Sequence, residues 1–394
     1  VWKRVEDGGD TDSALVVLVL VLDNDPAVNT PTPGTRPADG TYLDVAIHYV
    51  QGITDLADGT LVGVAGAADE SPLLDEAVRI QGVVTQVLPG LGGFYVQEED
   101  ADAGTSEGVF VLSSASVAAG DLLTVEGTVL EAGGETRIET DAVSVEASGL
   151  ALPYAVTIIF PTATVLEDAD GDYVANLEAY EGMRVAVPEE MTVGELFQLD
   201  RFGTVRLTSE GRSETFTQGN APSEEGFQAH LRELASRSLM IDDGSTSQNP
   251  SELRLPFLVE DGVLGAGDEF CMGDAYAGLT GVVGFSEDPA SSEEPECRIH
   301  LPTEGELIQR NPREDDLDVG GTLTVASFNV LNYFTTIKGG TGPDGSLEPR
   351  GAGSAEGLAR QEAKLVAAID AISADVIGLT EIEMTPRAPS RRRR

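Results

Sequence analysis

The hydrophobic pattern of this chain changes character along its length. Between residues 75 and 150, apolar positions come in short alternating or β-branched runs. These are Val78–Val87, Gly92–Gln97, Gly108–Leu112, Asp121–Leu130 and Thr136–Val145. Gly, Asp, Ser or Pro bounds each run, the expected punctuation of strands and turns. Short strands at this spacing predict a small Greek-key barrel of the OB type over residues 46–150. A β-sandwich shares the turn spacing, but Gly82 and Gly127 lie inside strands, where a tightly curved sheet needs bends.

Residues 151–310 repeat the theme less regularly. Met183–Val187, Gly203–Thr208 and Thr280–Phe285 read as strands, Glu224–Ser236 as a polar helix, and Asp242–Pro250 as a loop dense in turn formers. A second β-rich module is predicted. Residues 311–320 form an acidic, Pro-containing linker. The pattern then becomes strand, helix, strand. Leu323–Val330 is the first strand. Ser354 can cap a helix running to about Ser373, with Leu358, Leu365, Ile369 and Ile372 on one face. Ala374–Leu379 follows as an expected fully buried strand. This order predicts an α/β layer over residues 321–383.

The termini read differently. Ala14–Leu22 is the longest strongly apolar run, about half the ~20 residues of a membrane-spanning helix. It follows an acidic stretch and precedes no small-residue cleavage site, so it reads as a buried strand rather than a membrane span or signal peptide. Asp23–Gly40 is a Pro/Thr/Gly/Asp-rich linker, and no fold is assigned to residues 1–45. The chain begins at Val1, consistent with a processed product or fragment.

Charge changes the picture. The 394 residues carry 24 basic and 68 acidic side chains, net −44. Such a surface repels nucleic-acid phosphate and excludes a protein that coats nucleic acid. It suits a haloadapted or marine secreted protein, whose self-repulsion is screened by salt; a solvated acidic face with no special habitat is the alternative. The charge is unevenly placed: residues 323–394 hold 9 basic and 8 acidic side chains, which leaves −45 on the rest. The Arg-rich tail from Met384 to Arg394 ends the α/β pattern. Of the two cysteines, Cys271 and Cys297, a single disulfide is expected if the protein is secreted; two partly buried thiols are the alternative.

Asn329 and Glu381 fall at strand ends of the α/β unit, where such folds bind ligands. A carboxylate there can hold Mg²⁺, and a carboxamide can orient a phosphate oxygen or a metal ligand. By spacing alone, a turn cap and an exposed loop acid explain them as well. Resemblance adds to this. Val325–Phe334 (VASFNVLNYF), Arg360–Ile369 (RQEAKLVAAI) and Ala374–Glu383 (ADVIGLTEIE) resemble the endonuclease/exonuclease/phosphatase superfamily. Ile47–Gly52, Gly90–Glu99, Thr105–Val111, Leu177–Pro188 and Ile241–Pro250 resemble the β-barrel region of its ExeM/NucH-type extracellular endonucleases. The resemblance spans roughly residues 46–383 and implies OB-like modules followed by the start of a four-layer α/β sandwich.

It further implies a secreted hydrolase that cleaves nucleic-acid phosphodiesters with Mg²⁺ or Mn²⁺. Asn329 and Glu381 are then the catalytic residues, with Glu381 the metal ligand. Glu383 is an alternative ligand, and Asn332 would orient the phosphate-binding loop. Arg360 and Lys364 read as helix-solvating residues. The family's later Asp–Asn pair and His have no counterpart, since the three histidines are His48, His230 and His300. A truncated catalytic domain, inactive as it stands, is therefore expected. A phosphatase or phospholipase of the same superfamily, or a non-catalytic OB-like binding module, are the alternatives. Asp168–Asp172 departs from the EF-hand pattern at Tyr173 and Ala179, which leaves only a looser acidic-loop site for Ca²⁺. Phe94, Tyr95 and Phe110 could stack single-stranded bases, but without basic neighbours they read as core. No protein partner is identifiable.

Overall fold

The computed structural model describes residues 42–55, 60–62, 71–98, 106–167, 171–250, 255, 258, 262–264, 270–286, 296–312, 319–340 and 349–383. The expected strand Ala14–Leu22, the Asp23–Gly40 linker, most of the Asp168–Asp172 loop and the tail from Met384 lie outside them. The chain divides into two compact units, Val1–Pro312 and Arg313–Arg394.

The first unit opens with β1 (Leu43–Asp44), α1 (Ile47–Gln51) and a hairpin of β2 (Ile53–Asp55) and β3 (Thr60–Val62). Five strands follow: β4 (Ala77–Leu88), β5 (Gly93–Gln97), β6 (Gly108–Leu112), β7 (Leu122–Ala132) and β8 (Glu135–Ala147). They pair in the order β4-β5-β6-β8-β7 and close through β4–β7, with β6 and β8 parallel. That is the order of an OB-like barrel, which closure leaves without free edges. Alternate side chains of β4 and β7 point inward with Phe94, Val96, Val109 and Val111, and α1 adds Ile47 and Val50 to the same core. Gly127 marks the bend. A Cβ there would lie 2.5 Å from Ile138 Cγ2, and the β7–β8 register slips between Glu126 and Thr128.

A second barrel repeats this order. After β9 (Val156–Thr157), β10 (Val165–Glu167), β11 (Tyr173–Ala175), a 3-10 turn (Glu178–Tyr180) and β12 (Arg184–Val187) come its five strands. These are β13 (Met191–Glu195), β14 (Val205–Thr208), β15 (Ser238–Asp242), β16 (Ala275–Ser286) and β17 (Glu296–Ile308). They pair as β13-β14-β15-β17-β16 and close through β13–β16, with β15 and β17 parallel. Helix α2 (Leu199–Phe202) lies between β13 and β14; α3 (Phe216–Gly219) and α4 (Glu224–Arg237) lie between β14 and β15. Three of these strands are weak in sequence. β13 ends in Gly-Glu, β15 follows α4 without a loop, and β17 contains Pro302 and Gly305, which sequence rules count against a strand.

The expected Cys271–Cys297 disulfide is absent: both are free thiols. Cys271 precedes the end of the β16–β17 ladder at which Ala275 faces Ile308. Cys297 faces Phe285 near the other end. About ten residues of ladder, at ~3.3 Å each, separate the two, whereas a disulfide needs Cα atoms within ~7 Å. Cys297 packs instead in the second barrel's core, where burial, then Glu178 and Glu181, push its thiol pKa well up.

The barrels meet along a packed seam. Leu88, Tyr95 and Phe110 of the first pack on Val282 of the second, with Leu91, Leu112 and Leu301 alongside. Gln86 Nε2 donates to the carbonyls of His300 (2.9 Å) and Leu301 (2.8 Å). Gly108 and Gly182 bring the backbones into direct contact: a Cβ on Gly108 would lie 2.1 Å from the Gly182 carbonyl. Glu181, which bridges to Val283 of the second barrel, reaches into the first. Its Oε1 accepts from Gln51 Nε2 (3.2 Å) and Thr136 N (3.1 Å). Burial first, then the charges of Glu178 and Glu135, hold its carboxyl pKa well above the usual range.

In the second unit, β18 (Val325–Tyr333), α5 (Ala355–Ile372) and β19 (Val376–Ile382) form a strand–helix–strand unit with parallel strands. Ser354 caps α5 by accepting from Gly357 N at 3.0 Å. The expectation that Ala374–Leu379 is fully buried is overturned: Val376 is 53% and Leu379 38% exposed. Parallel strands are buried only when both faces are covered. Among the described residues of this unit, a single helix accompanies the two strands, and it buries no residue of its own.

A group whose folded pKa is raised loses stability as pH climbs from its unfolded value, ~4.3 for Glu, through its folded value. Glu181→Gln, which keeps the accepting oxygen and cannot ionise, is therefore expected to match the native protein near pH 4. It should be increasingly more stable toward pH 8, by ~1.4 kcal/mol for each pH unit that separates the unfolded from the folded pKa. Thermal melts of both proteins across that range check this; a difference that does not grow with pH contradicts it.

Candidate functional site

The α/β unit places its two sequence-predicted residues side by side. Asn329 lies in β18 opposite Thr380 of β19, and the parallel register then slips before resuming at Tyr333–Ile382. The slip leaves the ends of both strands irregular, and Asn329 and Glu381 face each other there. Asn329 Nδ2 donates to Glu381 Oε1 at 2.8 Å. Asn329 lies inside β18, and Glu381 lies inside its strand rather than just past it, because β19 extends beyond the apolar run that marks it in sequence.

The surrounding backbone is committed to this pair. Asn332 N donates to Glu381 Oε2 at 3.2 Å, and Leu331 N to Asn329 Oδ1 at 2.9 Å. Asn332 therefore acts through its backbone N–H. Leu331, Asn332 and Glu381 all have positive φ, at 50°, 53° and 58°. Left-handed backbone costs a non-glycine residue of order 1–3 kcal/mol and concentrates at functional sites. Gln361 of α5 ties down the same turn, donating from Nε2 to the Leu331 carbonyl at 2.8 Å. Gln361 lies within the Arg360–Ile369 run that carries the resemblance, but read locally a polar residue on a helix is solvated.

Glu383 does a different job. Its Oε2 accepts from Thr335 N (2.9 Å), Thr335 Oγ1 (2.5 Å) and Thr336 N (3.2 Å). These bonds, the Thr335 side chain's first, hold its pKa below the ordinary range. It pins the loop after β18 and stands apart from the Asn329–Glu381 pair. Arg360 and Lys364 are exposed on α5.

The donor set suits a hard divalent cation. Each Glu381 oxygen accepts one hydrogen bond in the contacts above, and a carboxylate oxygen has two lone-pair sites. Mg²⁺ characteristically takes one or two carboxylates plus waters and substrate phosphate. Among the described residues, no group of three or more His, Cys, Asp or Glu is placed to hold a metal.

The comparisons with known proteins add no family. No protein-family model matches the chain, and no curated protein matches it. Among solved structures, the crystal structure of fission yeast Pot1 with ssDNA aligns over 60% of this chain and 84% of that chain, at 13% identity. Its TM-score is 0.23, too low for the similarity to bear on fold or activity.

The barrels offer a second place to look, because OB barrels bind oligonucleotides across their second and third strands. In the first barrel those strands are β5 and β6. Phe94 and Val96 point into the core; Tyr95 and Phe110 point outward, where aromatic rings could stack bases. Tyr95 is fully buried and Phe110 2% exposed, because the second barrel covers them. Tyr95 donates to Glu135 Oε1 at 2.6 Å and stacks at 6.5 Å on the His300 ring. Burial, then Glu135, raises the Tyr95 pKa well above its usual value. The expectation that Phe94, Tyr95 and Phe110 are core residues holds.

Two cations in the strands of the second barrel are likewise engaged. Arg206 makes two hydrogen bonds to Glu296, at 2.8 and 2.9 Å. Arg298 pairs with Asp242, which also accepts from His300 Nδ1 at 2.8 Å. Burial alone would raise the Asp242 pKa; His300 and Arg298 outweigh it and hold the group below the ordinary carboxylate range. His300, near Cys297 in sequence, thus belongs to a buried ion network.

Glu383 provides a local check on this geometry. Its carboxyl carbon, followed by NMR, is expected to titrate below an ordinary Glu. In Thr335→Val the midpoint should move up toward the ordinary value. An unchanged midpoint would mean that Thr335 does not hold Glu383.

Proposed function

We propose that this chain carries part of the site of a secreted, divalent-metal-dependent hydrolase of nucleic-acid phosphodiesters, which the tandem barrels precede in sequence. The 2.8 Å Asn329–Glu381 contact at the irregular ends of two parallel strands supports this reading most directly. Open α/β sheets bind ligands at the carboxyl ends of their strands. The left-handed residues around the pair give a physical reason to regard it as more than a turn.

In this reading Glu381 is the ligand for Mg²⁺ or Mn²⁺. Asn329 orients it by donating to Oε1, and the Asn332 N–H steadies Oε2. A bound cation would neutralise charge on the phosphoryl oxygens and lower the pKa of its water. It would also let an acidic protein meet a polyanion, since the near-neutral α/β unit approaches phosphate through the cation. One carboxylate and one carboxamide do not make a complete hydrolytic site, because a positioned acid or base must also move protons. None of the described residues joins the pair in that role, so this chain alone is expected to bind metal without turnover.

Mn²⁺ binding by the full chain, followed by electron paramagnetic resonance in about 0.5 M KCl to screen surface carboxylates, tests the site. Glu381→Ala is expected to weaken the tightest site by about tenfold or more, and Asn329→Ala, which removes an outer partner, by about tenfold. Unchanged binding in both variants would overturn the assignment. EDTA-sensitive DNA cleavage that disappears in Glu381→Ala would overturn the expected inactivity and leave the site standing.

A further inference from the structure

A cleft of about 480 Å³ opens on the surface of the first barrel, beside its contact with the second. It lies where β4 and the end of β5 meet the connection to the second barrel. Gln81, Gln97, Glu98 and Tyr154 line it, with Leu122 and Pro153 among its apolar members. We propose that this cleft is a binding site for a neutral carbohydrate ring.

The lining has the chemistry such a ring requires. A pyranose presents C–H groups on its faces and hydroxyls around its rim. It binds where an aromatic face meets planar polar side chains that both donate and accept. Tyr154 is 88% exposed, so its ring is accessible as a platform. Gln97 is 2% exposed, and its Oε1 accepts from Arg184 N at 2.9 Å. That bond orients the carboxamide, which lines the cleft. Glu98 is held in turn: its Oε1 accepts from Ile47 N at 2.6 Å and pairs with His48 Nδ1 at 3.2 Å. Gln81 adds an exposed carboxamide. Two carboxamides and a carboxylate around an apolar, aromatic wall match the alternating donors and acceptors of sugar hydroxyls. The volume falls within the ~300–1,000 Å³ of small-molecule sites.

Charge selects against other ligands. Glu98 and the −45 carried by the residues before 323 disfavour phosphorylated, sulfated or uronic-acid chains. The nearby Arg184 does not offset them, since its guanidinium bonds the Pro153 carbonyl (3.3 Å) and Glu304 (3.2 Å). A nucleobase could stack on Tyr154, but its phosphates would meet this field. The proposal does not depend on the metal-site reading.

The test is affinity electrophoresis of the full chain through gels containing amylose, hydroxyethylcellulose, laminarin or galactomannan. Heparin and a dT oligonucleotide serve as charged controls. At least one neutral glycan should retard the protein. Tyr154→Ala should reduce that retardation about tenfold or more, Gln81→Ala should reduce it less, and Tyr154→Phe should preserve it. Tyr154 is exposed, so its variants should melt as the native protein does, which separates loss of binding from loss of fold. Failure of all four neutral glycans, or retardation indifferent to Tyr154→Ala, overturns the proposal. Retardation by the oligonucleotide that Tyr154→Ala removes would overturn it in favour of a nucleobase site.

Discussion

The seam between the two barrels is the constraint on which the first unit depends. Tyr95 and Phe110 point out of the first barrel, and no closed five-stranded barrel can bury outward-facing rings by itself. The second barrel does so with Val282, Leu301 and the His300 ring. A buried aromatic side chain contributes roughly 1.5–3 kcal/mol, so separating the barrels would expose several such groups together. Gly108 against Gly182 lets the backbones approach closely enough for this packing. The same contact removes the usual oligonucleotide face of the first barrel. The Tyr95–Phe110 face is occupied by protein rather than open to solvent.

Burial at this seam also organises the acidic charge. Most of the described carboxylates are at least partly exposed, where salt screens them. Glu181 and Glu135 are not: both are buried at the contact and both have raised pKa values, for which burial is the largest cause. Asp242 meets the same desolvation and ends on the other side of the balance, because His300 and Arg298 lie against it. The difference is one of partners. At Glu181 the neighbouring acids Glu178 and Glu135 add to desolvation, whereas at Glu135 the Arg137 charge and the Tyr95 hydroxyl offset it only in part.

The second unit follows a different logic. Its described strands and helix leave Val325, Val376 and Leu379 exposed, yet its polar groups are closely organised. Asn329, Glu381, the Asn332 N–H and Gln361 form one connected set around a break in strand register. Glu383 and Thr335 hold the adjoining loop as a separate set. Hydrogen bonding rather than apolar burial fixes the local geometry of the candidate site.

The sequence by itself determined the strands of the first barrel, since Gly- and Asp-bounded β-branched runs have few other uses. It determined α5 and its Ser354 cap through local spacing, and it singled out Asn329 and Glu381. Tertiary structure decided what depends on distant partners. β13, β15 and β17 are too short, too close to a helix or too interrupted by Pro and Gly to read locally, and they become strands because barrel closure gives each a neighbour on both sides. The Cys271–Cys297 pairing failed because the ladder between them is extended, and a length of ladder cannot be read from two cysteines alone. Whether Tyr95 would face a ligand or a second barrel, and whether Glu381 or Glu383 would meet Asn329, depended on which surfaces came together. Local pattern specifies an element's type; only packing specifies what its outward face meets.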